Sequence, residues 1–210
     1  MTHQTASEQT RMRLLNAARE VFSQSGFQMA TVREICRRAE VNVAAVNYHF
    51  GSKDGLLAEA LNFGALKAMQ LANAKADECP KMRLRLFIGD FMLMLLDEKN
   101  ASSQCRIMAR ELADPTPALD KIVREAIAPL HKHLGELVRE IAGKQASEAE
   151  LRRCVHSILG QCLYYRHSYP VLQRLHPKLR YDRKEIEAIA RHIADFSLAG
   201  ISAIATSNEK

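Results

Sequence analysis

Residues 31–53 read TVREICRRAEVNVAAVNYHFGSK, and this stretch decides the fold. Thr31 followed three residues later by Glu34 has the pattern of a capping box, in which the threonine hydroxyl takes a free backbone N–H and the glutamate reaches back. The helix it opens is expected to run to Ala39, with Ile35, Cys36 and Ala39 on its inner face. Glu40 and Val41 make a tight turn, and Asn42 caps a second helix expected over 43–49, which Phe50 and Gly51 close. Two short helices joined by a tight turn form the arrangement that lays its second helix in a DNA major groove.

The residues on that second helix suit the task. Val43, Ala44 and Ala45 keep the approaching face narrow, so backbone and base edges can come close. The Asn47 amide has the donor–acceptor pair that reads an adenine edge, and Tyr48 and His49 can reach phosphate or base. Thr31 and Arg33 stand at a helix N-terminus, where free N–H groups favour a phosphate. Lys53, in the first turn of the following helix, is placed to clamp the backbone on the other flank. With the capping Asn42 these ten residues are the candidate DNA-binding set. The same spacing serves a plain packing unit equally well, and charge does not decide between the two: residues 1–55 hold seven Arg and Lys against five Asp and Glu.

Outward from this stretch the segmentation is helical throughout. An earlier helix is expected over 7–25, with Leu14, Leu15, Ala18, Val21 and Phe22 on one face and Gly26 as a left-handed stop. Ser52 caps a long helix to residue 78, and Pro80 opens one toward residue 100 carrying Leu84, Phe87, Ile88, Phe91, Met92 and Leu95. Further helices are expected over 103–113, over 116–142 with a kink at Pro129, over 147–168 behind a second capping box and ended ahead of Pro170, and over 182–206. Nine glycines and six prolines in 210 residues are few, which argues against a many-stranded protein. The fold class is therefore all-α with about nine helices, divided into an N-terminal three-helix domain over 7–55 and a C-terminal bundle over 56–207.

Composition excludes other classes. Apolar residues make up 47% and charged residues 26%, a globular balance that excludes a mostly disordered chain. The net charge of +6 and a pI near 9.2 suit an anionic partner without proving one. The N-terminus has no apolar signal region, and the run Phe91 to Leu96 is far short of a bilayer span. No membrane association is expected. Five widely spaced cysteines with no CxxC pair read as free thiols of a cytoplasmic protein.

Thr31-Val32-Arg33-Glu34-Ile35, Ala39, Val41 and Tyr48-His49-Phe50-Gly51-Ser52-Lys53 resemble the signature of the tetracycline-repressor (TetR) family of bacterial regulators. Two positions depart from it: Glu40 stands where the family turn commonly has glycine, and Asn42 where it has serine. Met108 through Pro117, Gly160 through Arg166, and Ile189 through Ile193 further resemble the CecR-type branch, whose members are linked to antibiotic sensitivity and efflux control. The resemblance implies a ligand-responsive transcriptional regulator, acting as a repressor. It implies a homodimer that binds a near-palindromic double-stranded operator with its reading helices about 34 Å apart, and a small-molecule inducer of unidentified chemistry. An all-helical protein-interaction module that never touches DNA is the alternative.

The C-terminal residues divide between assembly and sensing. The last helix shows Ile186, Ile189, Ile193, Phe196, Gly200 and Ile204 on one face, broadened by Ala190, Ala194, Ser197 and Ile201. Ile158, Leu159 and Leu163 lie beside it on the preceding long helix. This is either an intramolecular core face or, as the resemblance favours, a two-fold four-helix interface through Ile158, Ile193, Phe196, Ser197, Gly200, Ile201 and Ile204. Met92, Met108, Glu111, Gln161, Tyr164 and Tyr165 are the candidate ligand set, a soft apolar pocket with a few polar groups. A methionine-rich core would give the same pattern.

Catalysis finds no support. His131 and His133 are two apart on a helix and point about 200° from one another, so they cannot chelate together. Cys154 and Cys162 are about 12 Å apart by helical rise, too far for a disulfide. No phosphate loop or nucleophile elbow is present. The expectation is a protein that is not an enzyme, with no catalytic residue, metal or cofactor.

Overall fold

The computed structural model describes residues 6–61, 64–74, 77–96 and 98–207, all helical or connecting, with no strand among them. The described residues form two compact units. The first comprises those within Met1–Phe63 together with Ser102–Glu125, and the second those within Gly64–Ala101 and Ala126–Lys210.

The first unit is built on α1 (Ala6–Met29), which packs against α2 (Val32–Ala39), α3 (Ala44–Phe50) and α4 (Lys53–Ala60). Its core joins Leu14, Ala18, Val21 and Phe22 to Ile35 and Cys36, to Val46 and Phe50, and to Leu56 and Leu57. Fully burying each such large side chain is worth about 1.5–3 kcal/mol. At Gly26 the α1 helix breaks, with φ 74° and ψ 171°, before one more turn. Only glycine adopts that backbone without strain, and a Cβ there would stand 3.0 Å from an Arg110 guanidinium nitrogen. Arg110, on α7 (Glu98–Ala113), donates to the Gln24 carbonyl at 3.0 Å. After α7 the chain turns through Thr116 into α8 (Ala118–Ile122), which packs on α4.

The second unit centres on α6 (Pro80–Leu96), which buries Leu84, Phe87, Ile88, Phe91 and Met92. Around it lie α5 (Gly64–Ala74), α9 (Ala128–Ala142), α10 (Glu148–His167) and α12 (Arg183–Ser207), with α11 (Tyr169–Leu175) against α10. The buried Asn73 knits three helices: its amide donates to the Arg83 carbonyl at 2.7 Å and its oxygen meets His133 Nε2 at 3.0 Å. Arg83 itself reaches Glu140 at 3.0 Å.

Several boundaries differ from expectation. Of the single helix expected over 52–78, the described residues give α4, which ends at Ala60 with Leu61 in a turn, and α5, which begins at Gly64 and ends at Ala74; residues 62–63 and 75–76 lie outside the described residues. The kink expected at Pro129 is a π-helical turn over Val123–Ile127, just ahead of the proline. Pro129 cannot donate a hydrogen bond and its ring crowds the carbonyl four residues back, and a wider turn relieves both. Pro170 does not end a helix but opens α11 near its first position, where its missing N–H costs nothing. In place of about nine helices there are twelve α-helical segments and one π-helical turn among the described residues.

Candidate nucleic-acid interface

α3 holds to the first unit by two side chains, Val46 and Phe50, four apart and both buried. Val43, Ala44, Asn47 and Tyr48 point outward, with Tyr48 80% exposed, while Ala45 and His49 are half-buried. The Tyr48 ring stands edge-on to His49, centroids 4.8 Å apart. An outward face of small residues and one amide, ending in an exposed phenol, can enter a groove without reshaping the core beneath it.

The two short helices are set by their ends. Thr31 has extended backbone and its hydroxyl accepts from Glu34 N–H at 3.1 Å. The reciprocal half of the expected capping box is replaced: the Glu34 carboxylate is held by Arg37 at 2.9 Å and by Arg38 at 2.7 Å. Hydrogen bonds from Arg37, then from Arg38, lower the Glu34 pKa to about 2. Arg38 also reaches Gln24 of α1 at 3.2 Å, bracing α2 against α1. Glu40 takes the left-handed conformation, φ 54° and ψ 47°, and is the one non-glycine residue with positive φ among the described residues. Its N–H meets the Arg37 carbonyl at 3.2 Å and Val41 N–H meets Cys36 at 3.0 Å. The glutamate therefore adopts the turn that glycine would favour. The Asn42 side-chain oxygen then accepts from Ala44 N–H at 2.9 Å.

Beyond α3, Ser52 caps α4 by accepting from Gly55 N–H at 3.0 Å. Gly55 is required by space, because a Cβ there would lie 2.1 Å from the Phe50 carbonyl oxygen. Arg11 pairs with Glu59 and stacks over the Phe50 ring at 5.5 Å, which ties α1, α3 and α4 at one corner.

Lys53 is the candidate whose surroundings differ most from expectation. Its ammonium donates to the Phe27 carbonyl at 2.5 Å and lies 4.1 Å from the Phe27 ring centroid. Burial lowers its pKa, with Asp54 opposing. In the free protein this lysine joins α4 to the end of α1, and a phosphate would have to draw it away. Thr31 and Arg33 are exposed at the start of α2.

The residues expected to sense a ligand do not gather within either unit. Met108 and Glu111 belong to the first unit, and Met92, Gln161, Tyr164 and Tyr165 to the second. Met92 is fully buried in the core, and Tyr164 is 52% exposed. Glu111 is buried with one carboxylate oxygen bound to Thr116, at 2.8 Å from its N–H and 2.6 Å from its hydroxyl, so it fastens the turn after α7. It does line a cavity of about 320 Å³ in the first unit, with Phe22, Phe27, Leu57, Ile107 and Arg110. Sequence spacing gave no sign of this cavity, since its walls come from stretches some 80 residues apart.

The expected assembly stripe also divides. Ile158, Ile193, Ser197 and Ile201 are buried inside the protomer, where α12 packs on α6 and α10. Phe196 is 65% exposed, Gly200 is exposed and Ile204 half-buried. A period of 3.6 marks an apolar stripe without dividing it between core and surface. On α10, Ser157, Gly160 and Tyr164 continue the exposed face, and Gln161 donates to the Ser197 hydroxyl across the two helices at 3.4 Å.

Comparison with known proteins gives this arrangement a family. The model for bacterial regulatory proteins of the tetR family matches residues 14–60. The model for the C-terminal domain of the HTH-type transcriptional dual regulator CecR matches residues 80–201. CecR of Shigella flexneri is 28% identical over 210 residues, covering 93% of this chain and 94% of that protein. The regulator UidR of Escherichia coli (strain K12) is 43% identical over 54 residues, 26% of this chain and 28% of that protein. FadR from Bacillus subtilis, solved in complex with stearoyl-CoA, shares the fold with a TM-score of 0.69 at 16% identity, over 90% of this chain and 98% of that chain. The chain belongs to the tetR family of bacterial regulatory proteins, in the branch with the CecR C-terminal domain, and is a DNA-binding transcriptional regulator.

Proposed function

We propose that the protein binds a near-palindromic operator as a homodimer, α3 of each protomer entering one major groove, and is released by a small-molecule effector. The observation that carries this reading is the outward face of α3, where Ala44, Asn47 and Tyr48 stand clear of a core that Val46 and Phe50 already fill. Asn47 reads a base edge, Tyr48 and His49 contact phosphate or base, and Thr31 and Arg33 meet phosphate at the start of α2. Asn42, Val43 and Ala45 shape the approach. Lys53 contributes to the backbone contact once it leaves Phe27. The protein acts in the cytoplasm, as a repressor of genes of antibiotic sensitivity or efflux.

Assembly uses the exposed parts of α10 and α12. Gly160 and Tyr164 flank Gln161 on one helix, and Phe196 and Gly200 flank Ser197 on the other, giving a small-residue surface with one aromatic at each side. Close pairing of two such surfaces makes a four-helix interface. An effector that favours a differently spaced dimer weakens operator binding, because only differential affinity between states shifts the equilibrium. FadR in complex with stearoyl-CoA supports an acyl effector as one class to try.

The test is fluorescence anisotropy on DNA from the gene's own upstream region at several salt concentrations. Tyr48→Ala should lower affinity on every sequence, and Asn47→Ala should flatten the preference between operator and variants by about 1–3 kcal/mol. Unchanged affinity and preference in both variants, with circular dichroism intact, would remove α3 from the groove.

A further inference from the structure

The net charge of the chain is not spread evenly. Residues 166–184 hold six Arg and Lys against the single carboxylate of Asp182, so five of the six net positive charges of the whole chain lie in nineteen residues. That stretch runs from the end of α10 through α11 to the start of α12, all within the second unit. Its shape is fixed by tyrosines. The Tyr181 hydroxyl donates to the Tyr165 carbonyl at 2.9 Å, and the Tyr169 and Tyr181 rings stand 4.5 Å apart. The Gln173 amide donates to the Tyr169 hydroxyl at 2.8 Å. Leu172 is the buried anchor of α11, whereas Val171 and Leu175, four apart and on one face, are 55% and 64% exposed.

The fold does little to compensate these cations. Asp182 turns its side chain to the Glu185 N–H at 2.8 Å and so caps α12. Glu187 is taken by Arg183 at 2.9 Å. Glu185 lies by Tyr165, whose phenol is pushed up by burial first and then by that carboxylate. Arg174 donates to the Pro170 carbonyl at 2.6 Å, and Arg180 to those of Pro177 and Leu179 at 3.0 and 2.7 Å. Such bonds orient a guanidinium without neutralising it. Arg174, Lys178, Arg180 and Lys184 are all exposed, and none forms an ion pair among the described residues.

We propose that this face docks an acidic segment of a partner protein, one that carries apolar side chains among its carboxylates. Uncompensated cations beside two exposed apolar side chains match that chemistry on both counts. The carboxylates meet the cations at the rim, and the apolar side chains cover Val171 and Leu175 to give the contact a dry centre. A phosphate backbone would meet the cations but leave the apolar pair without a partner. A lipid surface calls for a wider apolar face than two side chains on a seven-residue helix. The inference is independent of the DNA-reading proposal, since Asn47 and Tyr48 belong to the first unit.

The test uses the full chain and a labelled, glutamate-rich helical peptide whose leucines form one stripe, beside its counterpart with serine for every leucine. Anisotropy should show the leucine peptide bound about tenfold tighter than the serine peptide, with both weakened by salt. Lys178→Glu combined with Arg180→Glu should weaken the leucine peptide by about tenfold or more. Leu175→Ser should bring the two peptides level. Lys144→Glu, in the turn at the other end of α10, should bind as the wild type does, and circular dichroism should be unchanged in every variant. An unlabelled random-sequence DNA duplex should leave the peptide bound. No binding of the leucine peptide, equal binding of the two peptides, wild-type binding in the doubly reversed variant, or displacement by the duplex would each overturn the proposal.

Discussion

At Glu40 the chain holds a side-chain-bearing residue in left-handed backbone, a conformation that costs an L-residue about 1–2 kcal/mol. The turn persists because Ile35, Cys36 and Val46 are buried on either side of it. Glu40→Gly removes that strain and gives back about 0.5–1 kcal/mol through glycine's freedom in the unfolded chain. We expect the variant to gain up to about 1 kcal/mol in urea unfolding with the m-value unchanged; a lower midpoint would mean that the glutamate side chain stabilises the turn. The identity of this turn residue and its likeness to a glycine position are legible in sequence. Whether the backbone bends to avoid the strain is not, because that depends on packing from distant helices. Lys53 makes the same point from the other side: its residue type and position suggest phosphate, yet the Phe27 carbonyl that takes it lies 26 residues away.

Helices α2 and α3, of eight and seven residues, are too short to persist alone in water. They exist because their inner faces are buried and their ends are capped. The tightest of these joints is the approach of α4 to the end of α3. Gly55→Ala would drive a methyl group against the Phe50 carbonyl, a backbone group that no flexible side chain can yield for. A loss of about 1–3 kcal/mol, or more, is expected in chemical unfolding, together with weaker DNA binding as α3 tilts. Full stability in that variant would mean that α4 can slide. Capping signals survive the passage from sequence to structure when no competitor is near. Ser147 and Glu150 close both halves of their box, whereas Glu34 is drawn away by Arg37 and Arg38 within its own helix. The π-helical turn and α11 are not legible in sequence, because a proline marks a kink, a stop or a start without announcing which side of it is helical.

For the molecule as a whole, α12 is the helix with most to explain. It is long and apolar enough by composition to cross a membrane, and less than half of its apolar stretch is buried. Its inner half packs on α6 and α10, which leaves Phe196 and Gly200 facing outward. Gly200 is open, with nothing within 4 Å of a Cβ, so Gly200→Arg leaves the protomer undisturbed while placing a charge in the proposed interface. Light scattering at micromolar concentration should give a dimer for the wild type and a monomer for the variant, with operator affinity reduced because two half-sites are no longer engaged together. A wild-type monomer would end the assembly proposal. Periodicity alone identified this helix as amphipathic, but the division of its apolar residues between core and surface is set by the position of α6, which no local pattern encodes.

The attachment of α3 through Val46 and Phe50, with Ala45 and His49 half-buried beside them, has a bearing on how such a protein can change. Substitutions at outward positions that touch no core typically alter stability by less than about 0.5 kcal/mol. Positions 44, 47 and 48 can therefore be rewritten as a cassette, with recognition altered while folding is left intact. A library randomised there should yield mostly soluble proteins that differ in the DNA they prefer, so a duplicated copy of the gene can acquire a new operator without first acquiring a new scaffold.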